Sequence, residues 1–559
     1  MYKILYKIIP ILFLLPSLVF AQNVVTGTVS DEVGPLPGAT VYEKDVPTNG
    51  AATDIDGKFS LALRGESKVL VVKSIGLLTK EVSVKGKTSI KVFLEKDAKG
   101  LEEVVVVGFG TQKKITNTGA ISTITAQEIK QNPSASIQNT LAGRLPGFFS
   151  QQRSGQPGAD GAQFFIRGIS TYDGVGAPLI IVDDIEYDYE KVSALDPNEI
   201  ESVSILKDAS TTAVYGIKGA NGVLIVTTKR GNVGKPKINF KSEAGYQTDV
   251  YSPKFLDSYQ ALSLRNETIE QYGDTTNNPQ YLSEEILQKY RDGSDPYLYP
   301  NVDWWNTAFK KGAMITRNNL DFQGGSKTVK YFVSAGYLWQ NGNLRDFGSR
   351  KETNNNFYYK RYNFRSNLDI AATKTLKLRL DLSGRFGEQN EPFGLNSSIY
   401  ANSNGIIGEI YSKNYLPPYA FPILNPDGSY PYAPGLGADN ASLVGRISEL
   451  GYSRRFDNDL GIVAAATQDL DFVTKGLSAK VLVSYGSNQF YRVGANRTVD
   501  GIPFYYFNPN TNSYSPRVAE FYRPDIMQVS YASGDILRTL NSQSHLNYRR
   551  SFGKHTAYA

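Results

Sequence analysis

Three groups of residues have the composition of a chemical site. Asp183 and Asp184 close the apolar run PLIIVDD, but neighbours on a strand point to opposite faces, so they do not form a carboxylate pair on one substrate without distortion. Gly155, Gly158 and Gly161, and again Gly216, Gly219 and Gly222, are spaced by two residues. They lack the G-x-G-x-x-G order and a following Walker lysine, so they read as turns and not as phosphate cradles. Asp54, Asp56 and Gly57 resemble the opening of a calcium loop, yet the twelfth position, where a glutamate is needed, is Gly65. Asp-Gly is first a hairpin signal.

The rest of the composition narrows the chemistry further. Among 559 residues there is no cysteine and there are two histidines, which removes disulfide frameworks, thiolate zinc sites and cysteine nucleophiles. No nucleophile, metal set or carboxylate pair stands out, so the chain is not expected to be an enzyme or to need a cofactor. Lys plus Arg at 60 against Asp plus Glu at 54 leaves +6 without a basic tract, so no nucleic-acid partner is expected. A mean hydropathy of −0.32 excludes a polytopic helical membrane protein, and 36 tyrosines favour a β-rich chain.

The chain is too long for one core and divides by pattern. Residues 1–21 read as a secretory signal peptide: Lys3 and Lys7 precede an apolar run, Ile8 to Phe20, that is too short to span and contains Pro10 and Pro16. Residues 22–96 alternate in short segments (VVTGTVS, ATVYE, GKFSLAL, KVLVVKS, KEVSVKG, IKVFLEK) split by turn residues, the pattern of a small β-sandwich. Residues 97–114 follow, with LEEVVVVGFGTQKK from Leu101 to Lys114. Its four consecutive valines favour extension over helix. In one reading this is another core strand of the next domain. In the other it is a tethered β-peptide that adds to a partner's sheet edge. Composition does not choose between them.

Beyond Gly231 the segments lengthen and alternate strictly. In RYNFRSNLDI, Tyr362, Phe364, Leu368 and Ile370 share one side, and Arg361, Asn363, Arg365, Asn367 and Asp369 the other. Eight strands are expected, over 237–246, 316–323, 328–340, 361–370, 375–387, 454–472, 477–490 and 538–550, with a ninth beginning at Thr556. Their connections alternate long and short, so one end of the sheet carries large loops and the other tight turns. Outer-membrane barrels have this asymmetry, and strands of this length cross a bilayer, whereas a soluble sandwich does not require it. The ninth strand stops in mid-pattern at Ala559, as in a truncated reading frame, and an unclosed sheet is not expected to insert as a working pore.

These strings resemble the SusC/RagA-type TonB-linked outer-membrane transporters. LEEVVVVGFGTQKK is similar to the family's TonB box region. SASIQNTLAGRLPGFFSQQRSGQPGADGAQFFIRGIS, PLIIVDDIE and LDPNEIESVSILKDASTTAVYGIKGANGVLIVTTKRG resemble its plug, and 22–96 resembles the carboxypeptidase-regulatory-like sandwich that often precedes the box. The resemblance implies a mainly β protein: sandwich, TonB box and linker at 97–114, α+β plug at 115–232, and part of a large antiparallel transmembrane β-barrel at 233–559. It implies that TonB pairs with Glu102, Glu103, Val104, Val105, Val106 and Val107 and pulls through a flexible leash, Gly108 to Lys114. It also implies a SusD-like lipoprotein partner, outer-membrane lipid around the strands, N-terminal domains in the periplasm, and an oligosaccharide or, alternatively, a peptide substrate. A surface receptor or adhesin anchored by a barrel is the rival, and it needs neither plug nor tether. Two departures stand beside the likeness. No separate signalling domain of the secretin/TonB short N-terminal kind is found, and relatives close about 22 strands. The tyrosines of the loop from Glu388 to Ser453 are expected to be loop packing before ligand contacts.

Overall fold

The computed structural model describes residues 24–31, 34–66, 68–74, 77–95, 104–107, 110–113, 120–131, 134–152, 154–169, 176–273, 275–276, 278–347, 355–393, 410, 416–434, 441–518, 528–534, 536–552 and 555–558. The signal-peptide assignment lies outside them. The chain forms two compact units, Met1–Thr118 and Gly119–Ala559.

In the first unit two sheets face each other. Lys58–Ala62, Val24–Ser30 and Ser89–Phe93 form one, and Val46–Ala52, Thr40–Glu43, Val69–Lys73 and Lys80–Ser83 the other. Inward alternation buries Val25, Val29, Val41, Leu70, Val72 and Val92 between them, as the segment pattern requires. Val46–Ala52 escapes sequence reading because Pro47 and Gly50 speak against a strand. It is an edge strand, where a missing N–H costs no ladder bond. Asp54 to Gly57 is a turn: the Asp54 carboxylate accepts the N–H groups of Asp56 and Lys58, and Gly57 has φ +71°. No metal-holding cluster of acidic or histidine side chains occurs among the described residues.

The second unit begins with a five-stranded sheet in the order Ile121–Thr125, Ile200–Leu206, Val223–Thr228, Leu179–Val182, Ile185–Tyr187. Short helices at Ala126–Ile129, Ile137–Leu141 and Tyr189–Ser193 and the hairpin Phe148–Gln152 with Ala162–Ile166 pack around it. Its core holds Ile129, Leu141, Phe164, Val203, Ile205 and Leu224. This is the expected α+β domain.

All eight long strands form: Gly234–Thr248, Gly312–Gly325, Val329–Asn341, Tyr358–Ala371, Leu376–Pro392, Gly451–Asp469, Leu477–Asn496 and Leu537–Phe552, each antiparallel to the next, with His555–Tyr558 as the ninth. They are called here the first to ninth wall strands. Long and short connections alternate as expected. Sequence reading missed Gln528–Ser533, which pairs with the end of the seventh strand. It also missed the structure inside the long connections: helices Ser258–Gln271 and Glu284–Asp292 in the first, and Leu443–Glu449 in the third. These loops carry their own core of Trp304, Phe309, Phe421, Leu443 and Ile447, a long-range cluster that local periodicity cannot reveal.

The faces of the wall decide its environment. Arg361 and Asn367 are 2% and 0% exposed, whereas Tyr362 and Leu460 are 50% and 52% exposed. Polar residues point at the plug and apolar residues point away from it, the reverse of a soluble sandwich and the order a lipid-facing barrel requires.

Candidate functional site

Asp183 and Asp184 are not strand residues. Both have positive φ, +48° and +77°, and form the two-residue turn of the hairpin Leu179–Tyr187. Two consecutive left-handed residues are what this tight hairpin needs, and aspartate tolerates them better than most side chains. Sequence reading placed them on a strand because LIIV before them is one. The turn spreads the two carboxylates to different partners. Asp183 accepts the N–H of Thr228 at 3.0 Å and its hydroxyl, and lies 3.7 Å from Arg365. Asp184 lies 2.9 Å from both Arg379 of the fifth strand and Lys480 of the seventh. Burial would raise the Asp184 pKa, but Lys480 and Arg379 more than offset it and hold the carboxyl below its ordinary value. Neither carboxylate is placed for general acid–base work. They fasten a plug turn to the wall.

The string LDPNEIE does the same beside that turn, its Glu199 sharing Arg365 with Asp183. Asp196 accepts a hydrogen bond from Asn319 at 2.8 Å, and Glu199 accepts from Arg365 at 2.8 Å and from Ser334 at 3.3 Å. Both are buried, Asp196 and Glu199 at 2% exposure. Burial pushes Glu199 up despite Arg365. For Asp196 burial is outweighed by Arg317 and Arg361, which hold it below its ordinary value. Arg317 and Arg361 donate to the carbonyls of Ser134 and Ala135, and Asn367 to Thr228 and to the carbonyl of Lys229. Arg230 bridges Asp369 and Asp381 at 2.9 and 2.8 Å. The alternation marked these wall residues as one polar face, but not which plug atoms they meet.

The first glycine triplet lies in loop and turn, as expected, whereas Gly216 and Gly219 of the second belong to the 3-10 helix Ala213–Gly219, kinked at Gly216. Gly158, Gly216 and Gly222 have φ of +77°, +59° and +85°, and Gly158 packs under the Tyr359 ring. The loop tyrosines described between Glu388 and Ser453 pack internally: Tyr430 against Phe504, Tyr432 against Tyr506, and Tyr419 under Arg265.

Of the tether, Glu102 and Glu103 lie outside the described residues. Val104–Val107 is a strand, paired antiparallel with Gly110–Lys113 in a two-stranded sheet. The leash expected over Gly108 to Lys114 is therefore corrected: its residues 110–113 are extended and return along the valines. The connection between them is two residues long. In such a hairpin the flanking pair exchanges both bonds, so with Val107 opposite Gly110, Val105 turns its N–H toward Gln112 while the N–H groups of Val104 and Val106 face the free edge. No third strand joins this sheet among the described residues.

A plug pinned by polar contacts to the inner face of an outward-apolar antiparallel wall is the architecture of a TonB-dependent receptor. Comparison with known proteins agrees. Residues 113–223 match the TonB-dependent Receptor Plug Domain, and 25–106 the CarboxypepD_reg-like domain. A TonB-dependent receptor of Formosa agariphila is 34% identical over 412 residues, 73% of this chain and 37% of that protein. The TonB-dependent receptor SusC of Bacteroides thetaiotaomicron is 32% identical over 362 residues, 63% of this chain and 34% of that protein. Among solved structures, the RagAB peptide importer in its closed-closed state superposes with a TM-score of 0.59 at 22% identity, covering 79% of this chain and 47% of that one, a likeness of fold. The chain belongs to the SusC/RagA family of TonB-dependent receptors. It spans roughly a third to a half of the length of these curated relatives (37%, 48% and 34% for three of them).

Proposed function

We propose that the protein is an outer-membrane importer of large nutrients driven by TonB, with residues 97–114 as TonB box and linker, 22–96 as the preceding sandwich, 115–232 as plug and 233–559 as barrel wall. The outer membrane has no ATP, so work on the plug has to be delivered from the inner membrane. TonB pairs by β-augmentation with Glu102 to Val107, and main-chain bonds carry the load. The N-terminal domains then lie in the periplasm. The observation that carries this reading is the polar plug–wall interface, a stopper held by many reversible bonds inside a wall whose outer face is apolar.

The partner is a SusD-like lipoprotein at the long-loop end, and the substrate an oligosaccharide. The relative named SusC supports the family on which both rest. The RagAB structures, named as a peptide importer, make oligopeptide the second reading. Growth of a deletion strain on a panel of glycans and peptides tests import and substrate together. Unimpaired growth on every member of the panel would remove the importer reading. A surface receptor or adhesin would have no use for the tether, so normal uptake by both the Val105→Pro and the Val106→Pro variants, with surface expression intact, would remove the TonB box.

A further inference from the structure

The plug does not meet the wall equally on all sides. Against the second to fourth strands the contacts are direct hydrogen bonds from Asn319, Ser334, Arg361, Arg365 and Asn367. Against the fifth to seventh strands Arg379 and Lys480 hold Asp184, and Gln389 the carbonyl of Pro157, but between these contacts a cavity of about 120 Å³, reaching Arg365 of the fourth strand, lies behind the plug hairpin Leu179–Tyr187. It exists because the wall presents small residues there: Ser383, Gly461, Ser484 and Gly486 line it, and a Cβ on Gly486 would meet nothing within 4 Å. The plug element facing it, Ile185–Tyr187, is three residues long and closes the order of the plug sheet, paired with Leu179–Val182.

The cavity has a polar end. Asp381, 4% exposed, gives one carboxylate oxygen to Arg230 at 2.8 Å and to Arg379 at 2.6 Å, while its other oxygen, Oδ1, is buried without a hydrogen-bond partner. Nε of Arg385 is likewise buried and unpartnered, and the Arg385 guanidinium pairs with Asp459. Buried polar atoms are rarely left unmatched, and a space of this size admits water or a short length of a polar chain.

We propose that the route of the substrate past the plug opens at this cavity, by displacement of the edge strand Ile185–Tyr187 and its turn from the fifth to seventh strands, and that Asp381 and Arg385 offer hydrogen bonds to an uncharged, hydrogen-bonding chain. The charges are already balanced, Asp381 by two arginines and Arg385 by Asp459, so recognition is by hydrogen bonding and not by net charge. This edge is fastened at the turn by Asp184, through its ion pairs to Arg379 and Lys480, while Leu179–Val182 is held in the plug core by its pairing with Val223–Thr228. The inference rests on the import reading.

The absence of cysteine from these 559 residues allows a direct test with introduced thiols. In cells carrying the full-length protein, Gly486→Cys is exposed to a membrane-impermeant maleimide while starch-derived oligosaccharides and peptone are supplied, with and without a protonophore. Labelling of Gly486→Cys is expected to be at least fivefold faster in energised cells, and Ser334→Cys, on the closely bonded side, to stay unlabelled. Gly486→Trp, placed where a Cβ meets nothing within 4 Å, is expected to cut uptake at least tenfold, whereas Leu380→Trp, on the outward face and away from the cavity, leaves it unchanged. Labelling of Gly486→Cys that is slow or independent of energisation while the wild type takes up nutrient, or full uptake by Gly486→Trp, overturns the route. Absence of uptake by the wild type itself overturns the import reading instead.

Discussion

At the scale of single residues, the side chains that look catalytic in the sequence turn out to be fasteners. Asp184 is the clearest. Its pKa lies below the unfolded value because Lys480 and Arg379 outweigh burial, so its clasp is fully present above the ordinary aspartate pKa of about 3.9 and is lost as pH falls through the lower folded value. Asp184→Asn removes the charge and is expected to cost about 2 kcal/mol, since two partly buried cations lose their partner. Faster hydrogen exchange over 179–187 than in the wild type at pH 7, with the difference shrinking toward pH 3, is the measurement. Glu199 and Arg365 are a fully buried pair and predict differently. Glu199→Ala leaves the buried Arg365 guanidinium with Asp183, at 3.7 Å, as its remaining carboxylate and should destabilise by about 3 kcal/mol, while Glu199→Leu combined with Arg365→Met should recover most of it in thermal unfolding. A double variant as unstable as the single one would show that the pair acts through something other than its charge. These pairings are not legible in the chain's order, because partners such as Asp184 and Lys480 stand 296 residues apart.

At the scale of elements, the tether is where reading and structure part. Four valines predict extension, and Val104–Val107 is extended, but Gly110–Lys113 is extended too and occupies one of its edges. The predicted consequence separates two ways of adding TonB. If TonB takes the free edge, Val106→Pro removes a donor that faces it and should abolish uptake, while the hairpin bonds of Val105 remain. If TonB displaces Gly110–Lys113, Val105→Pro is the damaging change. Uptake assays of the two variants, normalised to surface expression, distinguish these, and normal uptake by both would exclude pairing at these valines. The crossing from plug to wall is equally constrained. Gly231 passes so close to the third strand that a Cβ would stand 2.2 Å from the backbone nitrogen of Tyr331, so Gly231→Ala is expected to lower barrel assembly. Heat-modifiable gel mobility reads this directly, and unchanged mobility would contradict it. The eight wall strands were legible to within a few residues because a period of two persists over ten or more positions in each. The loop helices were not, since the apolar stripe of Leu443–Glu449 packs against residues of other loops.

At the scale of the molecule, the wall strands form an open sheet, with Gly234–Thr248 at one edge and His555–Tyr558 at the other. Unpaired strand edges are not tolerated in lipid, so these 559 residues by themselves are expected to give no substrate flux when reconstituted into liposomes, and flux at a rate above protein-free vesicles would refute this. Local periodicity and turn residues were enough to set the number of long wall strands, the alternation of long and short connections, and the two chemically opposite faces of each strand. The folded chain added which face looks inward, that the paired aspartates form a turn, which plug atom meets which wall side chain, and where a space remains between them. Those facts depend on contacts between positions hundreds of residues apart, and a one-dimensional pattern fixes which side a residue faces but not the partner it finds there.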